Sequence, residues 1–198
     1  VVEKTYNKSV SGNHGDFGGS FSLAKSKYFS DNPVLVSSTD GVGTKSILLQ
    51  DRLNDVGFYR CGLDIVNHCV NDILVMGAYP LFFLDYFASS NLNVNHAKKF
   101  IEGCSNACRD VDCVLSGGET AEMPDVYNKG HFDVVGTIVG IKALEKQTIV
   151  KGDIVISISS SGPHTNGYSL IRKCIDKEAP PKEIMDIFLE PHRCYLHN

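Results

Sequence analysis

The sequence predicts a mixed α+β protein. Short apolar runs of strand type alternate with longer segments whose apolar residues recur at helical spacing. Glycine or proline marks most of the boundaries between these segments. The 198 residues are 42% hydrophobic and 21% charged, which is typical of a globular chain. This length suits one domain, or one domain plus part of another.

The first predicted elements are a strand and a helix. A glycine-rich polar loop at 13–24 precedes a strand at 32–39, which is entered through Pro33. Residues 61–77 carry apolar side chains at helical spacing, and Gly77 ends the predicted helix.

The middle of the chain repeats this alternation. Residues 80–89 are apolar on both faces at first, which predicts a central strand. A second amphipathic helix is predicted at 93–111, with Asn93 or Asn95 as its N-cap. Residues 112–120 then predict a short strand that runs into a glycine turn.

The last third of the chain begins with a long predicted strand at 131–144, in which Gly136 and Gly140 leave little side-chain bulk. Residues 145–153 have the composition of a linker. A strand, a polar turn and a helix are predicted over 153–175, and the tail beyond them has weak periodicity.

Composition excludes several classes of function. The net charge of -4 and the lack of any Lys/Arg block argue against nucleic-acid binding. No apolar run approaches the roughly 20 residues of a membrane helix, so no membrane partner is expected. Seven dispersed cysteines indicate reduced thiols in a cytoplasmic protein. Cys104, Cys108 and Cys113 are interpreted as core thiols in preference to a metal site.

The turn at 40–45 combines an acid, glycines and a lysine at the end of a strand. Glycines let the backbone approach a ligand, and its N–H groups can hold phosphate oxygens. Lys45 could neutralise a phosphate, and Asp40 could hold Mg²⁺. The spacing is not that of a Walker A loop, and a charged hairpin turn is the alternative.

The helix at 61–77 carries Asp64, His68 and Asp72 at i, i+4 and i+8, so the three share one face beside Asn71. Two carboxylates placed in this way repel each other, and a cation would relieve the repulsion. The alternative is a solvated polar face on which His68 is only a surface partner of the acids.

Two further turns are polar. One carries Glu119, Glu122 and Asp125 after glycines, which suits a metal or hydroxyl site or else an acidic surface loop. The other, at 159–169, surrounds His164 with hydroxyl groups just before a helix. It could bind an anion and supply a proton donor, or it could simply cap that helix. If the glycine loops share a groove, the combination suits a Mg²⁺–nucleotide phosphate site.

Five ordered motifs resemble one family, the phosphoribosylformylglycinamidine cyclo-ligases, also called aminoimidazole ribonucleotide synthetases. They are LVSSTDGVGTK, the segment from GLDIVNHCVND to FFLDYFAS, LSGGETAEMPDVY, FDVVGTIVG and GDIVISISSSGPHTNGYSLIRK. They follow one another in the family's order over about residues 12–175.

The resemblance implies ATP-dependent ring closure of formylglycinamidine ribonucleotide to aminoimidazole ribonucleotide, ADP and phosphate in purine biosynthesis. It implies an N-terminal ATP-binding and dimerisation domain at 1–148, whose sheet forms a barrel-like core in a homodimer. Residues 149–198 would be the opening, incomplete part of a second α/β domain. Exposed apolar residues at 154–158 are then expected. The alternatives are a small-molecule kinase of the same superfamily and a non-catalytic nucleotide-binding module.

The resemblance also assigns residues to roles. ATP and Mg²⁺ are the implied cofactors, with Asp40, Asp72 and Glu119 as metal ligands and Lys45, His164 and Asp72 as catalytic residues. The implied ATP-binding residues are Gly18, Gly19, Asp40, Gly41, Gly43, Thr44, Lys45, Asp64 and Asn71. The implied substrate- or phosphate-binding residues are Ser161, Gly162, His164, Asn166, Glu119 and Glu122. His68 lies outside the family's motif.

Overall fold

A four-stranded sheet with two long helices packed against it forms the body of the protein. The computed structural model describes residues 1–12, 18–28, 30–145 and 147–197, so part of the loop predicted at 13–24 lies outside the described residues. The elements are β1 (Leu35–Gly41), α1 (Lys45–Leu53), α2 (Asp55–Val75), β2 (Ala78–Ser89), α3 (Val94–Asp110), β3 (Val114–Glu122), β4 (Phe132–Lys142), α4 (Tyr168–Lys177) and α5 (Lys182–Leu189).

The sheet has the order β1-β4-β2-β3. β4 pairs antiparallel with both β1 and β2, whereas β2 and β3 are parallel and are joined through α3. The predicted central position of β2 is therefore confirmed. The prediction of a mixed α+β fold is confirmed as well.

Two glycines of β4 allow close packing between the sheet and the helices. A Cβ atom on Gly136 would lie 2.1 Å from Cζ of Phe83, and one on Gly140 would lie 2.6 Å from Cδ1 of Ile73. Since real Cβ atoms do not approach neighbours this closely, the two glycines predicted to lack bulk are required where β4 meets the core. The core thiols Cys104, Cys108 and Cys113 are buried there, as predicted.

Helix boundaries agree with the predicted signals at several points. Gly77 follows α2 with a positive φ of 75°, and Asn93 caps α3 by accepting hydrogen bonds from the backbone N–H groups of Asn95 and His96. α2 begins at Asp55, earlier than predicted. Helix α1 was not predicted, and because it follows the 40–45 turn directly, the hairpin alternative for that turn is wrong.

The glycine turn predicted after β3 is wrong, because the strand continues through both glycines to Glu122. Gly117 pairs with Leu84 and Gly118 pairs with Asp85 of the parallel neighbour β2. A Cβ atom on Gly118 would lie 2.4 Å from Oδ1 of Asp85, so the glycine makes room for a buried carboxylate.

The strand predicted at 153–158 is also wrong. This segment pairs with no strand among the described residues, and Ile154, Val155 and Ile156 are more than 80% exposed. A lone extended segment has no partner for its backbone N–H and C=O groups, so an apolar β pattern alone does not make a strand. The predicted helix after the turn is present as α4, whereas α5 was missed in the weakly periodic tail.

Within the part of the chain that the structure describes, no helix is both long and apolar enough to cross a membrane.

Candidate functional site

The end of β1 and one face of α2 bring an imidazole between two carboxylates. Nε2 of His68 lies 3.1 Å from Oδ2 of Asp40 and 3.8 Å from Oδ1 of Asp72. These ligand atoms all lie within 4.8 Å of one another, close enough to share one metal ion. The helical face predicted from the i, i+4 spacing is present. His68 is only 8% exposed, so its interpretation as a residue of a solvated face is wrong.

Asp64 lies one turn earlier on α2 and belongs to a different group. Its Oδ1 accepts a 2.8 Å hydrogen bond from Nζ of Lys45, and both side chains are fully buried. Nζ of Lys45 also donates to the carbonyl oxygen of Glu190 at 2.6 Å, and the backbone N–H of His192 donates to Oδ1 of Asp64. Burial raises the pKa of Asp64 to about 6, although Lys45 acts in the opposite direction.

This arrangement directs the Lys45 ammonium into the protein interior instead of toward the 40–45 turn. The predicted contact of Lys45 with phosphate stays a prediction, since the ammonium would have to leave Asp64 and Glu190 to make it.

The polar turn at 159–169 packs onto the same region. Thr165 Oγ1 lies 2.7 Å from Nδ1 of His68, and Ser169 Oγ lies 3.1 Å from Oγ1 of Thr44, the residue that precedes α1. Ser161 donates to the carbonyl oxygen of Pro191. The structure therefore brings together three of the polar segments identified in the sequence. They are the 40–45 turn, the face of α2 that carries His68, and the 159–169 turn.

Three histidines line this region. His164 stacks on His192 with ring centroids 4.1 Å apart, and the centroid of His192 is 5.0 Å from that of His68. Nε2 of His164 lies 3.0 Å from the hydroxyl of Tyr195. Burial lowers the pKa of His192 to about 3, with the neighbouring histidines and Lys45 adding to the effect, and burial also lowers the pKa of His164. Both rings are therefore neutral at pH 7.

The segment 189–196 is held along α2 by side-chain amides. Asn67 donates to the carbonyl oxygen of His192, and Asn71 donates to that of Arg193 and accepts from the backbone N–H of Tyr195. Asn71 thus already has partners on both sides of its amide, and its role toward ATP stays a prediction. His192 and Tyr195 were not predicted as site residues, although the segment that holds them, PHRCYLHN, resembles a segment of the same family.

Gly19, Glu119 and Glu122 lie on or next to β3, the edge strand farthest from β1. Gly19 packs against Ser116 of β3, and Glu122 accepts a hydrogen bond from the backbone N–H of Leu92. Glu119 is on β3, three strands from Asp40 on β1, which is about 14 Å at the usual strand spacing. The structure does not bring Glu119 to Asp40 and Asp72.

The fold is that of a known class of proteins. A crystal structure of thiamine-monophosphate kinase from Stenotrophomonas maltophilia K279a superimposes with a TM-score of 0.52 at 17% identity. The match covers 68% of this chain and 37% of that one, and at this identity it shows the fold alone.

Sequence comparison defines the family. Residues 24–142, more than half of the chain, match the family model "AIR synthase related protein, N-terminal domain", and the chain belongs to this family. It is 46% identical over 202 residues to phosphoribosylformylglycinamidine cyclo-ligase from Clostridium botulinum (strain ATCC 19397 / Type A) and 44% identical over 201 residues to the enzyme of that name from Clostridium kluyveri (strain NBRC 12016). The matches cover 98% of this chain but 59% and 58% of those relatives.

Proposed function

We propose that this chain carries the ATP-binding part of an enzyme that closes the imidazole ring of aminoimidazole ribonucleotide. The substrates are formylglycinamidine ribonucleotide and ATP, and the products are aminoimidazole ribonucleotide, ADP and phosphate. The observation that carries this proposal is the 46% identity to a phosphoribosylformylglycinamidine cyclo-ligase over 98% of the chain. Because the chain spans only 59% of that relative, the activity of the whole protein is part of the proposal.

The chemical difficulty is that an amide oxygen is a poor leaving group. In the proposed reaction, ATP transfers its γ-phosphoryl group to the formyl-amide oxygen of the substrate. The amidine nitrogen then attacks the activated carbon, the C–N bond forms, and the C–O bond breaks as phosphate leaves.

Asp40, His68 and Asp72, called the acid cluster below, are suited to hold the metal ion that such a transfer needs. Asp40 and Asp72 present carboxylate oxygens on either side of His68 at a partly exposed position, and carboxylates are preferred ligands of Mg²⁺. A bound Mg²⁺ would neutralise charge on the transferring phosphoryl group. The fit of the donor set supports Asp40 and Asp72 as ligands, while Glu119 would reach them only across the sheet.

The other groups act by binding and by proton transfer. Gly43, with a φ of 62°, and Thr44 turn the backbone beside Asp40 and expose N–H groups to a nucleotide. His164 is neutral and its Nε2 faces the hydroxyl of Tyr195, so it can move a proton or orient a phosphate. Ser161, Gly162 and Asn166 surround His164 and would bind substrate or phosphate.

The proposed enzyme is a cytoplasmic homodimer in which the sheets of two subunits form a barrel-like core. Its support in this chain is that Leu35 of β1 and Leu84 of β2 are 51% and 37% exposed, although strands of this type bury apolar side chains. Light scattering of the purified chain tests this proposal, and a stable monomer at micromolar concentration would contradict it.

The activity is tested by measuring ADP release by the chain in Mg-ATP, with and without formylglycinamidine ribonucleotide. We expect substrate-dependent release that falls about 100-fold or more in Asp40→Asn, since a metal ligand contributes several kcal/mol to the transfer. Asp51→Asn, which changes an exposed acid on α1, is the matched control and should retain activity. Equal release without the second substrate, or in Asp40→Asn, would contradict the proposal.

A further inference from the structure

His68 is the one member of the acid cluster that the cyclo-ligase motif does not account for. Its ring is almost fully buried, yet Nε2 points between two partly exposed carboxylates and not toward an apolar partner. The ring is therefore directed toward the two carboxylates and not into the apolar core.

In Asp40, His68 and Asp72, one polar atom of the side chain contacts a neighbouring hydrogen-bonding group. The other polar atom of each side chain faces the other two residues. Oδ1 of Asp40 accepts a 2.7 Å hydrogen bond from the N–H of Gly41, and Oδ2 faces His68. Oδ2 of Asp72 accepts a 2.6 Å hydrogen bond from Oγ of Ser38, and Oδ1 faces His68. Nδ1 of His68 lies 2.7 Å from Oγ1 of Thr165.

This pattern is the one that metal-binding side chains show. A histidine ligand usually engages its second nitrogen with a hydrogen-bonding group, which fixes the ring, and ligating carboxylates are held in the same way by outer partners. When the N–H at Nδ1 of His68 is donated to Thr165, Nε2 presents a lone pair to Asp40 and Asp72. A cation at the centre then interacts favourably with all three groups at once.

We infer that His68 is the third protein ligand of the metal site formed by Asp40 and Asp72, and that it raises the affinity of this site for divalent transition ions such as Co²⁺ or Mn²⁺ relative to its affinity for Mg²⁺. This inference rests on the metal site of the proposed function. Mg²⁺ prefers oxygen ligands and retains several waters, whereas an imidazole nitrogen favours transition ions. Two carboxylate oxygens and one nitrogen therefore shift the preference of the site away from Mg²⁺.

The test is metal binding by the 198-residue chain, without any measurement of turnover. Pulsed EPR of bound Mn²⁺ detects a directly ligating nitrogen, and Co²⁺ titration followed by visible absorption gives the affinity. In His68→Gln we expect the nitrogen coupling to disappear and Co²⁺ to bind about 10-fold more weakly or worse. The Mg²⁺ concentration that displaces Mn²⁺ should fall in the same variant, because the remaining ligands are oxygens.

Two further variants make the result specific. His197→Gln alters an exposed histidine whose Nε2 contacts the carbonyl oxygen of Asp110, and it should leave both signals unchanged. Asp72→Asn should weaken binding of every divalent ion, because it removes a ligand charge.

The outcomes separate the two proposals. If Asp72→Asn loses the ion but His68→Gln keeps the nitrogen coupling and the Co²⁺ affinity, the site exists and the inference about His68 is overturned. If neither variant changes binding, the metal assignment in the proposed function fails with it. Absence of nitrogen coupling in the unaltered chain overturns the inference whether or not the variants fold.

Discussion

Two groups of charged side chains, one formed around Asp64 and the other around His68 and Asp72 of α2, differ in almost every physical respect. Lys45 and Asp64 are fully buried, and they neutralise each other at 2.8 Å. Asp40 and Asp72 retain 44% and 37% of their side-chain exposure, and they face a single imidazole. The first group balances its own charge, while the second leaves negative charge accessible to a cation. The comparison shows that burial and charge balance, more than residue type, separate a stabilising pair from a candidate binding site.

The largest expected effect comes from breaking the buried pair. Lys45→Met leaves the Asp64 carboxylate without its cation in the interior, which should lower the free energy of unfolding by about 3–5 kcal/mol. Urea denaturation at pH 8 measures this change. The matched control is Lys142→Met, because Lys142 and Glu145 also lie 2.8 Å apart but are 30% and 80% exposed. Its expected cost is about 0–1 kcal/mol, and equal losses in the two variants would remove the distinction.

Lowering the pH should restore part of the free energy of unfolding that Lys45→Met loses. The pKa of Asp64 is about 6 in the folded protein and 3.8 as its ordinary value, so the folded state binds the proton more tightly. Stability contributed by this group therefore rises as pH falls through that window. Without Lys45 the folded pKa is higher still, and the deficit relative to the unaltered chain should be largest at pH 8 and smaller at pH 6. A deficit that does not change with pH would show that lost packing, not the charge of Asp64, causes it.

Asp85 on β2 sharpens the comparison because it is buried and forms no ion pair with any of the residues that the structure describes. Burial raises its pKa from 3.8 to about 6. Between pH 7 and pH 5 its protonation should add about 1.4 kcal/mol to the free energy of unfolding. Asp85→Asn should remove this increment from the pH profile measured by urea denaturation. An unchanged profile would mean that the carboxyl group titrates normally.

The difference between the two groups on α2 was only partly accessible from the sequence. The spacing of Asp64, His68 and Asp72 correctly predicted a shared helical face, because that is a local property of a helix. The partner of Asp64 was not predicted, since Lys45 reaches it only through the packing of α1 on α2. The approach of Asp40 depends on the register of β1 in the sheet, which no local pattern specifies.

The C-terminal third of the chain also shows where prediction from local sequence patterns fails. Residues 153–158 have a strong strand pattern but no strand, because a strand requires a neighbour to accept its hydrogen bonds. His192 was not predicted as a site residue, yet its backbone N–H contacts Asp64 and its ring lies against His164. Local periodicity therefore predicted the body of the fold, whereas the contacts that complete the site depend on pairing between distant segments.

The smallest expected effect on stability comes from the open cluster itself. Asp40→Asn keeps an oxygen that can accept the hydrogen bond from Gly41, and it removes one of two neighbouring negative charges at a partly exposed position. We therefore expect the free energy of unfolding without divalent ions to change by less than about 1 kcal/mol. With a divalent ion at 100 times its Kd, the unaltered chain should gain about 2.7 kcal/mol, and the variant should gain much less. Urea denaturation with and without the ion measures both quantities. A large loss in the absence of the ion would place Asp40 with Asp64 as a structural acid and would remove the contrast between the two groups.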